Sequence, residues 1–308
     1  MTRAQRIVSL LPSATEVVYA LGLGDQLVAV THECDFPSDA LTKPKATYSL
    51  VAHESMTALE IDIAVREALG TDGTLYDLDR QLLASLRPDL ILTQELCDVC
   101  AVSFNRVRDA AAALGGPRVV SLDPHYLRDI LENILLVGRV TGTEERAAEV
   151  VKDAHRRIGR VAAVTAGIRR RPRVVLLEWL APPYRAGHWM PEIVRLAGGD
   201  EQLGQAGEDA AVVEWSRVVA AQPEVIIIAQ CGFDLARSVH ETRRVAWPDG
   251  WSDLPAVRDR QVFVVDGNAY LSRPGPRIVD SLELVAEILH PGHFAGLAPR
   301  GSFCRLDF

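Results

Sequence analysis

The chain has 308 residues, 48% hydrophobic and 24% charged, a balance that excludes extended disorder and leaves room for two domains with separate cores. A formal net charge of −8 excludes the basic footprint of a nucleic-acid-binding protein and offers nothing to an anionic membrane surface.

The first residues, MTRAQRIVSLLPSATE, hold no apolar core of signal-peptide length. The longest apolar runs, such as Val225 to Ala229, are too short to cross a bilayer. No membrane span and a cytoplasmic location are therefore expected. In that compartment the five cysteines read as thiols or metal ligands before disulfides.

In chain order, Arg6 to Leu10 reads as a strand, and Ser13 with Glu16 three residues on reads as a capping box opening a helix. Gly22-Leu23-Gly24-Asp25 ends that helix. Leu27 to Thr31, Asp89 to Thr93 and Arg118 to Leu122 read as further strands, with helices between. Lys43 to Asp79 is less regular: Met56 to Leu69 looks helical, Gly70-Thr71-Asp72-Gly73 reads as a turn, and the whole reads as an insertion. Thr143 to Gly167 is one long helix, roughly 35 Å at 1.5 Å per residue, with Glu144 and Glu145 in its first turn and Val150, Val151, Ala154, Ile158, Val161 and Val164 along one stripe. Strands follow at Arg173 to Glu178, Glu224 to Ala229 and Gln261 to Val265, then a helix over Pro276 to Leu289. His293 to Phe308 has no strong pattern.

The two halves echo one another. Arg6 to Leu10 followed by Thr15 to Leu27 repeats as Arg173 to Leu177 followed by Pro191 to Leu203, and Leu86 to Leu92 repeats as Ala221 to Ile227. The expected fold is α/β, two Rossmann-like lobes with mainly parallel sheets joined by a single backbone helix: an N-terminal lobe over 1–142, the helix over 143–167 and a C-terminal lobe over 168–308. A ligand cleft between the lobes follows as an expectation.

RIVSLLPSATEVVYALGLGDQLVAVTHECDFP, WLAPPYRAGHWMPEIVRLAGGDEQL and SRPGPRIVDSLELVAEIL resemble the opening strands, second-lobe entrance and terminal helix of the helical-backbone metal-chelate receptors, the iron-chelate and cobalamin substrate-binding proteins. The resemblance covers nearly the whole chain. It implies a cobalamin or related corrinoid, or a similar metal chelate, held between two lobes and delivered to an ABC importer permease, and with it a periplasmic or extracellular location. It also implies one acidic docking residue per lobe; Asp79 fits the first, and the matching position in the second falls near Ser216.

Strand exits carry the candidate chemistry, because loops at the carboxyl ends of parallel strands hold ligands. Trp179, Tyr184 and Trp189 lie in a Pro-rich loop where a flat corrin can stack, with a core aromatic cluster as the other reading. His188 shares that loop, and Tyr48, Tyr270 and Arg273 read as rim residues. Cys97-Asp98-Val99-Cys100 is a CxxC that suits Zn²⁺ or serves as a reduced or redox-active pair, and His32, Cys34 and Cys231 would complete a zinc site. Taken singly, Cys34 and Cys231 read more readily as small core side chains, with their place at strand exits favouring a ligand role, and His125, His155 and His240 read as structural or surface residues. No GxSxG, Walker A or post-strand GxGxxG is present, so no enzymatic role is expected. A zinc-binding intracellular protein and a Cys-dependent enzyme are the alternatives to the binding protein.

Overall fold

A computed structural model of the protein describes residues 5–51, 53, 55–71, 74–95 and 102–308. Cys97 and Cys100 lie outside the described residues. The chain packs as two compact units: 1–124 with 129–152, and 125–128 with 153–308.

Unit 1 is built on β1 (Ile7–Ser9), α1 (Pro12–Ala20), β2 (Leu27–Val30), β3 (Thr47–Ser49), α2 (Ala58–Thr71), β4 (Tyr76–Leu78), α3 (Arg80–Leu86), β5 (Leu90–Thr93), α4 (Phe104–Ala113), β6 (Arg118–Ser121) and α5 (Leu127–Thr141). Its four-stranded sheet runs β2-β1-β5-β6, all parallel, as near-continuous apolar strands require. Val8, Leu10, Ala29 and Ile91 join Val107 and Ala110 of α4 in its core. The predicted insertion is an antiparallel pair, β3 with β4, and the long helix α2 between them.

Two local expectations fail here. The Ser13–Glu16 capping box does not form: Pro12 takes the first helical position, where its missing N–H costs nothing, so Leu11 becomes the cap. Ser13 and Glu16 are then inside the helix and buried. Gly70 and Thr71, expected to open a turn, are the last residues of α2, and Asp72 and Gly73 lie outside the described residues; a single glycine near a helix end is cheap to carry.

The long helix is present as α6 (Glu144–Thr165), and the division between the units falls within it, at Lys152 and Asp153. In unit 2 its later half is pinned by Arg157, which bridges Asp280 and Glu283.

Unit 2 continues with β7 (Arg173–Leu180), β8 (Pro183–Arg185), α7 (Met190–Leu196), β9 (Asp200–Glu201), β10 (Ala211–Val212), α8 (Trp215–Ala220), β11 (Val225–Ile228), α9 (Leu235–Thr242), α10 (Pro255–Arg258), β12 (Val262–Val265), α11 (Ile278–Leu289), α12 (Pro291–Phe294) and β13 (Phe303–Leu306). Its parallel part, β9-β7-β11-β12, repeats the order of unit 1 strand for strand. The repeat extends to single atoms. The Asp89 carboxylate accepts the backbone N–H groups of Gln5 and Arg6 before β1, and the Glu224 carboxylate accepts that of Arg173 at the start of β7. Arg87 and Gln222, each one residue ahead of the proline, share a left-handed backbone with φ of 44° and 45°.

Antiparallel strands are added at both ends of this sheet. The Pro-rich stretch expected as a loop is a β-hairpin, β7 running on to Leu180 and turning at Ala181 and Pro182 into β8, which β10 then pairs. Tyr184 faces Trp179 across it. Prolines are admitted because Pro183 begins a strand, where no ladder N–H is needed. The patternless tail supplies β13, antiparallel on β12 with Cys304 opposite Val264. Its alternation is too short to register alone. Among the described residues, no helix is long and apolar enough to cross a membrane.

Candidate ligand and metal site

In unit 1, the residues after β2 are occupied by polar networks. The Cys34 thiol is buried, 3.0 Å from Thr15 Oγ1, whose hydroxyl donates to Ser9. His32 Nδ1 sits 2.7 Å from Thr47 Oγ1, and its ring lies 5.2 Å from that of Tyr76. Tyr48, on β3, is exposed.

In unit 2, the carboxyl ends of β7, β11 and β12 converge on an aromatic and cationic patch. Trp179, near the end of β7, is half-buried and its ring centroid lies 4.9 Å from that of Phe233, in the turn after β11. Trp179 Nε1 donates to Ala181 O, fixing the indole against its own hairpin. The Arg237 guanidinium stands 4.0 Å from the centre of the Phe233 ring. Phe233 O accepts the N–H of Asn268, and Asn268 Oδ1 accepts from Arg273, so the turn after β12 is tied to the same patch. Gly267 makes this close approach possible: a Cβ there would collide with Gln230 O. Tyr270 is half-buried, and burial pushes its phenol up from its ordinary pKa despite Arg277 nearby. Arg273 is buried, so its role in the patch runs through Asn268. Cys231 is exposed at the exit of β11, its N–H bonded to Glu178 O.

Trp189 differs from Trp179. It is buried, its indole N–H donates to Leu271 O at 2.7 Å, and it offers no open face for stacking. It acts as a floor for His188, whose ring centroid lies 5.6 Å away.

His188 has a left-handed backbone, φ 52°, unusual for a residue with a Cβ. It is held there by its N–H donating to Glu208 O and its carbonyl accepting from Gly207 N. Its Nε2 is buried, finds no aligned hydrogen bond among the described residues, and lies 3.2 Å from Asp209 Oδ1. Burial lowers the pKa of this imidazole below the usual histidine value, and the neighbouring His125 adds to that against the pull of Asp209. His125, read from the sequence as structural, joins it with ring centroids 5.8 Å apart. One ligand atom each from His125, His188 and Asp209 lie within 4.8 Å of one another, the group among the described residues that gathers potential metal ligands in this way.

Sequence reasoning missed His125, Asp209, Phe233 and Asn268. None has a local motif; each reaches its place through pairing of segments distant in sequence.

The sequence matches the periplasmic binding protein family over residues 7–269. A vitamin B12-binding protein of Vibrio cholerae is 26% identical over 291 residues, covering 93% of this chain and 89% of the relative. An uncharacterized ABC transporter substrate-binding lipoprotein of Bacillus subtilis is 25% identical over 302 residues, covering 94% and 81%. Among solved structures, the periplasmic vitamin B12 binding protein of Vibrio cholerae superposes with a TM-score of 0.69 at 24% identity, covering 94% and 98%, and a periplasmic heme binding protein of Pseudomonas aeruginosa with 0.71 at 21%, covering 94% and 93%. The repeated parallel sheets and the match over most of the chain place this protein in the periplasmic binding protein family.

Proposed function

We propose that the protein binds a corrinoid of the cobalamin class and presents it to an ABC importer. The observation that carries the reading is the near full-length likeness to vitamin B12-binding proteins. In unit 2, the half-buried Trp179 ring, backed by the buried Phe233 with Arg237 beside it, supports the reading, since a corrin offers a flat apolar face and amide and phosphate edges. Tyr184 and Tyr270 lie beside that patch in unit 2, with Arg273 tied to it through Asn268. Haem is the second chelate to test, because solved structures of similar fold include heme-binding proteins. Neither a Cys-dependent enzyme nor an intracellular zinc protein gains support from the family. An importer partner also moves the expected location from the cytoplasm to the outside of the membrane.

Two exposed acids suit the docking role. Asp79 caps α3, accepting the Leu82 N–H, and Glu214 holds the N-cap position of α8 without a side-chain bond, each nine positions ahead of the proline that precedes the strand, Pro88 and Pro223. By the repeat, Glu214 is the acid that corresponds to Asp79 on the second lobe, two residues from the expected position near Ser216.

Titration calorimetry with cyanocobalamin and, separately, haemin tests the ligand. Saturable one-to-one corrinoid binding supports the reading, and saturation by haemin alone replaces it with a haem carrier. No heat and no tryptophan fluorescence change with either would end it.

A further inference from the structure

We propose that His125, His188 and Asp209 form a binding site for a divalent first-row transition-metal ion such as Zn²⁺, independent of the corrinoid reading. The three ligand atoms are close enough to share one ion. Two imidazole nitrogens and one carboxylate oxygen suit Zn²⁺, Ni²⁺ or Cu²⁺ and disfavour Ca²⁺ and Mg²⁺, which take oxygen ligands.

The arms of the site are built in. His188 and Asp209 sit on two segments joined by the hydrogen bonds His188 N to Glu208 O and Gly207 N to His188 O. The segments touch so closely that a Cβ at Gly187 would run into the backbone of Ala210. Glu208 is engaged by Arg185, which leaves Asp209 as the carboxylate turned toward His188 Nε2. The two residues after His125 are anchored: the Tyr126 phenol packs against Gly207, and the Leu127 N–H donates to Glu192 of α7 at 2.8 Å. The buried His188 Nε2 makes no aligned hydrogen bond and has the Asp209 carboxylate 3.2 Å away, a poorly aligned contact that a shared metal ion would replace with two bonds; this is the second observation pointing to a ligand.

Three protein ligands leave a fourth tetrahedral position open, for water or for a donor atom of an incoming small molecule. This set is distinct from the CxxC and uses no thiolate. The two sources of zinc binding are therefore separable.

The test uses the full chain, stripped with chelator, in a Cys97→Ser, Cys100→Ser background, titrated with Zn²⁺ and with Co²⁺ as a spectroscopic reporter. Expected are one equivalent of metal, a Co²⁺ spectrum without thiolate charge-transfer bands, and a loss of at least about 100-fold in Zn²⁺ affinity in His125→Ala and in Asp209→Asn, larger than is typical for outer-shell partners. His188→Asn keeps a residue tolerant of the left-handed backbone and guards against misfolding of an alanine variant. Thermal unfolding confirms that each variant is folded. Zn²⁺ binding unchanged in folded His125→Ala and Asp209→Asn, or no binding by the parent at high micromolar metal, overturns the site. Corrinoid titration of the same variants is read separately, so loss of one binding does not imply loss of the other.

Discussion

Arg157 of α6 grips both carboxylate oxygens of Glu283 on α11, through Nε at 3.0 Å and through Nη2. Glu283 is buried among apolar neighbours on a helix whose every turn faces the core, and Asp280 accepts from the same guanidinium. These carboxylates hold the Arg157 pKa above its ordinary value, Glu283 first, against a cost from burial. Removing the arginine leaves the buried Glu283 carboxylate with the longer 3.7 Å pair to Arg160. Arg157→Ala should therefore lose about 3 kcal/mol in urea unfolding, while Arg156→Ala, whose pair with Asp153 is surface-exposed, should change stability by no more than about 0.5 kcal/mol. Equal small losses would show that the bridge holds nothing.

Two glutamates of unit 2 should shape the pH dependence in opposite directions. Burial pushes Glu201 up to about 7, despite three backbone N–H donors from Gly204, Leu203 and Leu176. Between the ordinary value of 4.5 and about 7 the folded chain keeps a proton that the unfolded chain has released, so stability falls as pH rises through that window. Glu201→Gln should gain relative to the parent from about pH 5 to about pH 8, by an amount on the order of 3 kcal/mol. Glu224 is held low, first by the Arg173 N–H and then by Arg170. Its contribution is present above its unfolded pKa and disappears as pH falls through the folded one. Glu224→Gln should be less stable than the parent at neutral pH and converge with it in acid. Parallel denaturation curves across pH would contradict both assignments.

The two tryptophans of the hairpin region should separate by phenotype. Trp179→Ala is expected to keep the fold and to weaken corrinoid binding about tenfold or more, as loss of a stacking anchor does. Trp189→Ala removes a buried ring and its bond to Leu271, and should cost about 3–5 kcal/mol in stability before any effect on affinity. Calorimetry and thermal melts of both variants distinguish the roles; unaltered affinity in Trp179→Ala would move the ligand away from this patch.

Asp79→Lys with Glu214→Lys reverses both proposed docking charges at exposed helix starts. Corrinoid affinity should remain within about twofold, while stimulation of the importer's ATPase in liposomes should fall by more than about tenfold, since like charge at an interface is repelled. Full stimulation by the double variant would exclude these acids from docking.

Much of the architecture is written locally in this chain. Apolar strand runs separated by helical periods mark β1, β2, β5, β6, β7, β11 and β12, and Glu144 to Thr165 carries its helix in its own stripe and first-turn acids. The duplication from Arg6 to Leu27 and from Arg173 to Leu203 foretells two sheets of identical strand order, because equal local patterns select equal crossovers. Even the paired acids Asp89 and Glu224 are visible in the Leu86 and Ala221 repeats.

What the sequence alone determined, then, is the fold of each half, which rests on hydrophobic period and turn chemistry within short windows; the class of protein rests on the family likeness of long stretches of chain. Only the tertiary structure decided which side chains meet. Ser13 offered a plausible cap, yet Pro12 took the first helical position and moved the start of α1. Trp179 and Trp189 look alike in sequence, but the hairpin leaves one half-buried beside Phe233 and closes the other over Leu271. His125, His188 and Asp209 share no motif, and backbone pairing between His188 and Glu208 brings the last two together. Such meetings are set by register between distant segments, a property of the closed packing and of no single stretch of chain.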